Sequence, residues 1–321
     1  MSESHATEIS DAAPPRAHPY RAFVLRAGLG IVVVGFLLWH YDARPVFRIL
    51  ARERGGFFVA AVALYVASQV MSAWRWQLLA AVVGVRARFS EFLAFYFVGM
   101  FTNLFVPGLV GGDAARAVYL GRKQHRLGEA IASVIADRGL GLIALFWFAA
   151  AMAFAMPSAL ASTVIRPTIV AGVLALAGFL SAPIIGRLLP YLPRPLHRAA
   201  GIVAPYLHHP VAMIPAIVLS IILQVSLAVG QWLLGKGLGL STPLALFLLC
   251  VPIANVFASL PLTLNGLGVR ETAYLVLFGM VGMGRDDAIA LGLLWFAATM
   301  LGGLTGVVAF IRTPLAAQPT T

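Results

Sequence analysis

The chain has 321 residues, 60% of them hydrophobic and only 11% charged, and its mean hydropathy of +0.91 lies far above that of soluble globular proteins. This composition excludes a soluble domain of ordinary make-up and assigns nearly the whole chain to a membrane. A net charge of +11 would suit a nucleic-acid partner. However, the basic residues sit in short segments between apolar blocks ("RPVFRILARER", "GRKQHR", "RPLHR"), which is positive-inside loop chemistry, so no nucleic-acid binding is expected.

Residues 1–22 mix acids, prolines and histidines without periodicity and form a polar tail. The segment that follows, "AFVLRAGLGIVVVGFLLWHY", ends in the interfacial anchors Trp39, His40 and Tyr41 and lacks a small-residue cleavage site. It is an uncleaved membrane helix rather than a secretory signal. Further helices are expected over 57–83, 127–157, 167–189, 210–236 and 288–312, each long enough to cross about 30 Å of hydrocarbon. Residues 23–312 are thus a single membrane domain, with 313–321 as a C-terminal tail.

Two apolar stretches, 90–122 and 243–283, are broken near their middles by Pro and Gly. Each either crosses twice or forms a hairpin that enters and leaves on one side. In "VPGLVGGDAARAVYL" Pro107 precedes Gly112 by five residues and Arg116 by nine; in "LPLTLNGLGVRETAYL" Pro261 precedes Gly266 by five and Arg270 by nine. Trp76 and Trp232 lie 31 and 29 residues upstream of those prolines. This is the trace of a duplicated transporter half, over about 57–157 and 210–312, against a background of chance matches among common membrane residues. Three crossings between the hairpins would put them on opposite faces, an inverted repeat. The fold class is therefore all-α and polytopic, with about six full crossings and two re-entrant hairpins. A cytoplasmic tail leaves short loops near 158–163 and 284–287 outside; "DARPVFRILARERGG", also outside, disagrees with its four arginines.

Irregular backbone survives at membrane depth only where it is buried in protein or lines a wet cavity. "PGLVGGD" and "PLTLNGLG" are therefore cavity candidates, whose glycine amides and following helix N-termini suit an anion, with plain kinks as the alternative. Asp137 lies about ten residues, or about 15 Å, into its helix, near mid-membrane, where a charge costs about 2.5 to 3.5 kcal/mol on insertion scales. Ser133 and Gly141 share its face. Arg138 beside Asp137, and Arg270 beside Glu271, point about 100° away from their neighbours, so these charges should find partners or a ligand across helices. Purely structural ion pairs would satisfy them as well. No hydrolase elbow, zinc-protease, nucleotide-loop or dinucleotide motif is present. The lone Cys250 and the interfacial His208 and His209 form no metal set. No cofactor and no enzymatic activity are expected. Trp74, Trp76 and Trp232 fit an aromatic belt at helix ends.

Together "WRWQLL", "FYFVGMFTNLFVPGLVGGDAARAVYL", "ASVIADRGLGL" and "PLTLNGLGVRE" resemble the flippase-like membrane domain family, the lysylphosphatidylglycerol synthase transmembrane region family, over about 25–312. The resemblance implies a bacterial inner-membrane protein that moves a polar-headgroup lipid between leaflets. It also implies the absence of the cytosolic aminoacyl-transferase domain of bifunctional members, since the chain stops at Thr321. Carried over by motif, the site residues are Asn103, Pro107, Gly111, Gly112, Asp113, Arg116, Asp137, Arg138, Gly266, Gly268, Arg270 and Glu271. The expected partner is a membrane lipid, with lipid-biosynthesis enzymes as further candidates. The rival readings are an integral-membrane glycosyltransferase or other lipid-modifying enzyme, for which Asp42, Asp286 and Asp287 are the loop acids, and a non-transporting scaffold. Lipid identity, direction, energy source and oligomeric state are not encoded in these motifs.

Overall fold

A computed structural model describes residues 55–105, 110–181, 184, 187, 204–208, 210–259 and 268–313. The expected helix over 23–41, the tail 1–22, and Pro107, Pro261 and Gly266 lie outside them. The described residues form helices and connecting turns, with no strand: α1 (Gly55–Val82), α2 (Phe89–Phe105), α3 (Val110–Gln124), α4 (Leu127–Ala155), α5 (Ser162–Leu180), α6 (Ile214–Gly237), α7 (Leu244–Ala258), α8 (Val269–Met280), α9 (Arg285–Leu304) and α10 (Gly306–Arg312).

Length sorts these helices into two kinds. By length and composition α1, α4, α5, α6 and α9 continued by α10 can each cross a bilayer. The helices of the broken stretches, α2, α3, α7 and α8, are 17, 15, 15 and 12 residues long. At 1.5 Å per residue they span about 18 to 26 Å, less than the hydrocarbon thickness. Each pair packs on itself, α2 on α3 and α7 on α8, giving two hairpins of short helices. α3 carries Asp113 in its first turn and Arg122 and Lys123 in its last, complementing the helix dipole at both ends. α8 is preceded by Gly268 at φ +84°, a left-handed backbone that glycine adopts without strain.

Two boundaries differ from expectation. α5 begins at Ser162, so Pro167 lies inside it rather than opening it; a proline near a helix start removes only its own amide bond. α9 begins at Arg285, which draws Asp286 and Asp287 out of the expected loop and into its first turn, where acids face the positive end of the dipole.

The packing repeats across the molecule. α1 packs on α2 as α6 does on α7, and α3 packs on α4 as α8 does on α9. Across the seam α1 meets α9 as α6 meets α4, and hairpin helix α2 meets α9 as α7 meets α4. Exchanging the halves therefore leaves these neighbours unchanged. One apolar core lies within the first half, with Trp76, Phe92, Phe95, Leu120 and Val134; a second is centred on Phe247, Tyr274, Phe278, Leu291 and Trp295 of the second half and takes in Ala61 and Ala149 of the first and Ile165 of α5. Small residues let the elements close up, since a Cβ at Gly112 would strike the backbone of Gly99, and one at Gly302 or Gly303 would strike Tyr65 or Leu104.

Candidate functional site

The sequence places an acid in the middle of α4, and the fold brings two arginines to it. Asp137 is 1% exposed. Its Oδ1 accepts from Arg75 Nε of α1 at 2.8 Å and its Oδ2 from Arg116 Nη1 of α3 at 2.9 Å. Both arginines are held further. Arg75 Nη1 donates to Ser220 Oγ of α6 at 3.0 Å, and Arg116 Nε donates to Asp113 Oδ1 at 3.0 Å. Asp113 in turn binds Arg138, whose Nε and Nη2 donate to Oδ2 and Oδ1 at 2.6 and 3.1 Å.

The result is one chain of charge, Arg75–Asp137–Arg116–Asp113–Arg138, that ties three helices together, with α6 joined to it through Ser220. Three guanidinium groups against two carboxylates leave it one positive charge in excess. Arg116 also lies over the rings of Trp76 and Tyr96, at 4.9 and 5.1 Å, a cation–π setting worth more when desolvated.

The network changes character along its length. Asp137 and Arg116 are sealed, whereas the Arg138 side chain is 45% exposed. Between them opens a chamber of about 170 Å³, walled by Gln69, Asn103, Asp113, Arg116, Arg138 and Met300 among others from α1, α2, α3, α4 and α9. That is about the volume known to admit a benzene-sized guest, but here the walls carry charge.

The expected role of Gly112 is revised by its surroundings. Its N–H donates to Asn103 Oδ1 at 2.7 Å, so this amide already has an acceptor, and the glycine serves close packing of α2 on α3. Gly111 lies beside it in the first turn of α3. Ser133 and Gly141 do share the face of Asp137, but that face is filled. Ser133 Oγ accepts Trp76 Nε1 at 3.0 Å, and Gly141 leaves room for the Arg75 guanidinium.

Trp76 is fully buried, not part of an aromatic belt. Arg75, absent from the motif-derived residues, is the main addition. A charge three-quarters of the way along a 28-residue apolar helix was signal enough to mark it.

The second half brings Arg270 and Glu271 inward on α8, but not into an equivalent network. Arg270 is 8% exposed, and among the described residues its Nε and Nη1 have no hydrogen-bond partner. Tyr65, a wall of the chamber, lies within electrostatic reach of both Arg138 and Arg270. Behind α8 a second cavity, of about 600 Å³, is bordered by α4, α5, α7 and α8. Phe146, Pro167, Val256, Phe257 and Val276 line it, and the hydroxyls of Thr168 and Thr272 in its wall are turned to carbonyls of their own helices, so its surface is apolar.

Two helical hairpins packed among bilayer-length helices, around a buried chain of charge, define a polytopic α-helical membrane protein with a polar chamber enclosed in its apolar body. The chain belongs to the lysylphosphatidylglycerol synthase TM region family, whose model matches residues 23–306. It is also similar to a UPF0104 membrane protein of Pyrococcus horikoshii, at 26% identity over 123 residues, 37% of each chain. The match thus spans little more than a third of that relative's length. No solved structure matches the chain.

Proposed function

We propose that this protein moves a lipid with a phosphate-bearing headgroup between the leaflets of the bacterial inner membrane, and that the chamber beside Asp113, Arg116 and Arg138 receives the headgroup. The observation that carries the reading is the excess positive charge around that chamber, with one arginine half-exposed to it. Arg138 and Arg116 share a single carboxylate, Asp113, and an arriving phosphate can take over the Arg138 fork with the same bidentate geometry. The open donors of Arg270 offer a second grip from the other half. The apolar cavity behind α8 suits the tails, which never need to leave an oily surface. Membership of the family supports a lipid-handling membrane protein. The two hairpins, repeated and entering from opposite faces, would give the headgroup a polar path. The protein acts on the position of the lipid and not on its covalent structure.

The test is leaflet exchange of labelled lipids in proteoliposomes. A phosphate-bearing lipid should move and a neutral glycolipid of the same tails should not. Arg138→Gln should slow movement roughly 10- to 100-fold, the loss of about 1.5 to 3 kcal/mol from a charged hydrogen bond. Equal movement of the neutral lipid, or an unslowed Arg138→Gln, contradicts the proposal.

A further inference from the structure

Of the two most deeply buried acids, Asp137 of α4 and Glu271 of α8, one has no room for a proton and the other does. Both oxygens of Asp137 accept from guanidinium groups, so a hydrogen there would displace an ion pair. Glu271 is 0% exposed. Its Oε2 accepts the Gly268 N–H at 2.5 Å, which satisfies an otherwise orphaned donor at the start of α8. Among the described residues its Oε1 has no hydrogen-bond partner and it makes no ion pair. The facing element keeps space for the group: a Cβ on Gly292 of α9 would sit 2.8 Å from Glu271 Cγ.

The groups around it are few. On α8 itself are Arg270, the charged neighbour in electrostatic contact with it, and the fully buried Tyr274, whose hydroxyl also lacks a partner among the described residues and which interacts with both. α7 contributes Cys250 beside Tyr274, and α1 contributes Tyr65 within reach of Arg270. α9 presents Gly292; its ionisable residues Arg285, Asp286 and Asp287 lie in its first turn, about 7.5 Å or more further along the axis.

We propose that Glu271 is a proton-binding site, taking up and releasing a proton at Oε1, and that this proton travels with the lipid. Uptake forms one O–H bond from a water-borne proton and turns a carboxylate into a neutral acid; no electrons move. Oε2 keeps the Gly268 N–H in both states, so the start of α8 stays capped. A phosphate arriving at the open donors of Arg270 cancels the positive charge beside Glu271 and favours the proton on Oε1. By linkage the proton then favours the phosphate. Anion and proton cross together, without net charge. The coupling rests on the transport reading above, whereas the proton site does not.

Two measurements on the full chain separate them. Infrared difference spectra of the purified protein over a pH titration should show a deuterium-sensitive carboxylic-acid band that is lost in Glu271→Gln. The glutamine retains the carbonyl that accepts the Gly268 N–H. In Gly292→Ala, which crowds the group without changing charge, the band should shift. A band unaltered in both variants overturns the proton site. In proteoliposomes, a gradient of one pH unit should drive roughly tenfold leaflet asymmetry of a phosphate-bearing lipid, one proton per lipid, and Glu271→Gln should abolish the asymmetry. Wild-type exchange indifferent to the gradient overturns the coupling. Absence of any exchange overturns the transport reading and leaves the infrared band to decide the proton site.

Discussion

Set side by side, the two halves keep the same neighbours and differ in how their buried polar groups are satisfied. Aligning Trp76 with Trp232 places Gln231 where Arg75 stands, and aligning Glu129–Ala132 with Asp287–Ala290 places Trp295 opposite Asp137. Arg270 takes the place of Arg116. In the first half arginine, aspartate and arginine close on one another. In the second, the side-chain amide of Gln231 and two nitrogens of Arg270 have no partner among the described residues, with a tryptophan where the acid would be. Packing survives divergence because it needs only small or apolar residues at the contacts, while a charge network is lost with one substitution. The Arg75–Asp137–Arg116 end of the first half is therefore built as a strut. The second holds polar atoms that gain by meeting a ligand, water or a proton.

The sharpest way to break this comparison is to remove the central acid of each half. Asp137→Ala takes from two buried guanidinium groups the carboxylate they share and should destabilise by about 3 to 5 kcal/mol; Glu271→Gln, which removes no ion pair among the described residues, should change stability by less than about 1 kcal/mol. Thermal melts of both in one detergent decide it, and equal losses would mean that the halves are not differently satisfied. Ser220→Ala probes the far end of the strut. It removes the acceptor of Arg75 Nη1 and should cost about 1.5 to 3 kcal/mol.

Gly112→Ala forces α3 off Gly99 and Asn103 and should cost about 1 to 3 kcal/mol, while Gly139→Ala, with open space at its Cβ, should be neutral to within about 1 kcal/mol. The smallest effect belongs to the exposed pair of Lys123 and Glu91, 2.6 Å apart at the rim of the same half. Lys123→Ala should cost no more than about 1 kcal/mol and less in high salt. A loss as large as that of Ser220→Ala would show that burial is not what separates strong from weak links here.

Much of the architecture was legible from the chain. Hydropathy and length gave the long helices, and Pro with Gly gave the two broken stretches, because both signals are local. Asp137 and Arg116 stood out for the same reason: a charge in an apolar run is conspicuous wherever it points. Partner choice was not legible, since Arg75 and Asp137 are 62 residues apart and nothing local specifies that they meet. Trp76, near the end of α1, resembles an interfacial anchor until the fold wraps Ser133 and Arg116 around it. The expectation that buried charges find partners across helices held for Asp137 and Arg138. For Glu271 the polar partner is the Gly268 amide three residues back, a cap that the glutamate spacing alone permits.

The central claim is that a phosphate headgroup enters the chamber between the first hairpin and α9. Its most direct test is photocrosslinking from a benzoylphenylalanine placed at Met300, a chamber wall, in membranes holding phosphate-bearing and neutral lipids of the same tails. The account predicts adducts with the phosphate-bearing lipid, sharply reduced when Arg138→Gln is added. Adducts formed equally with both lipids, or unchanged by Arg138→Gln, would contradict it.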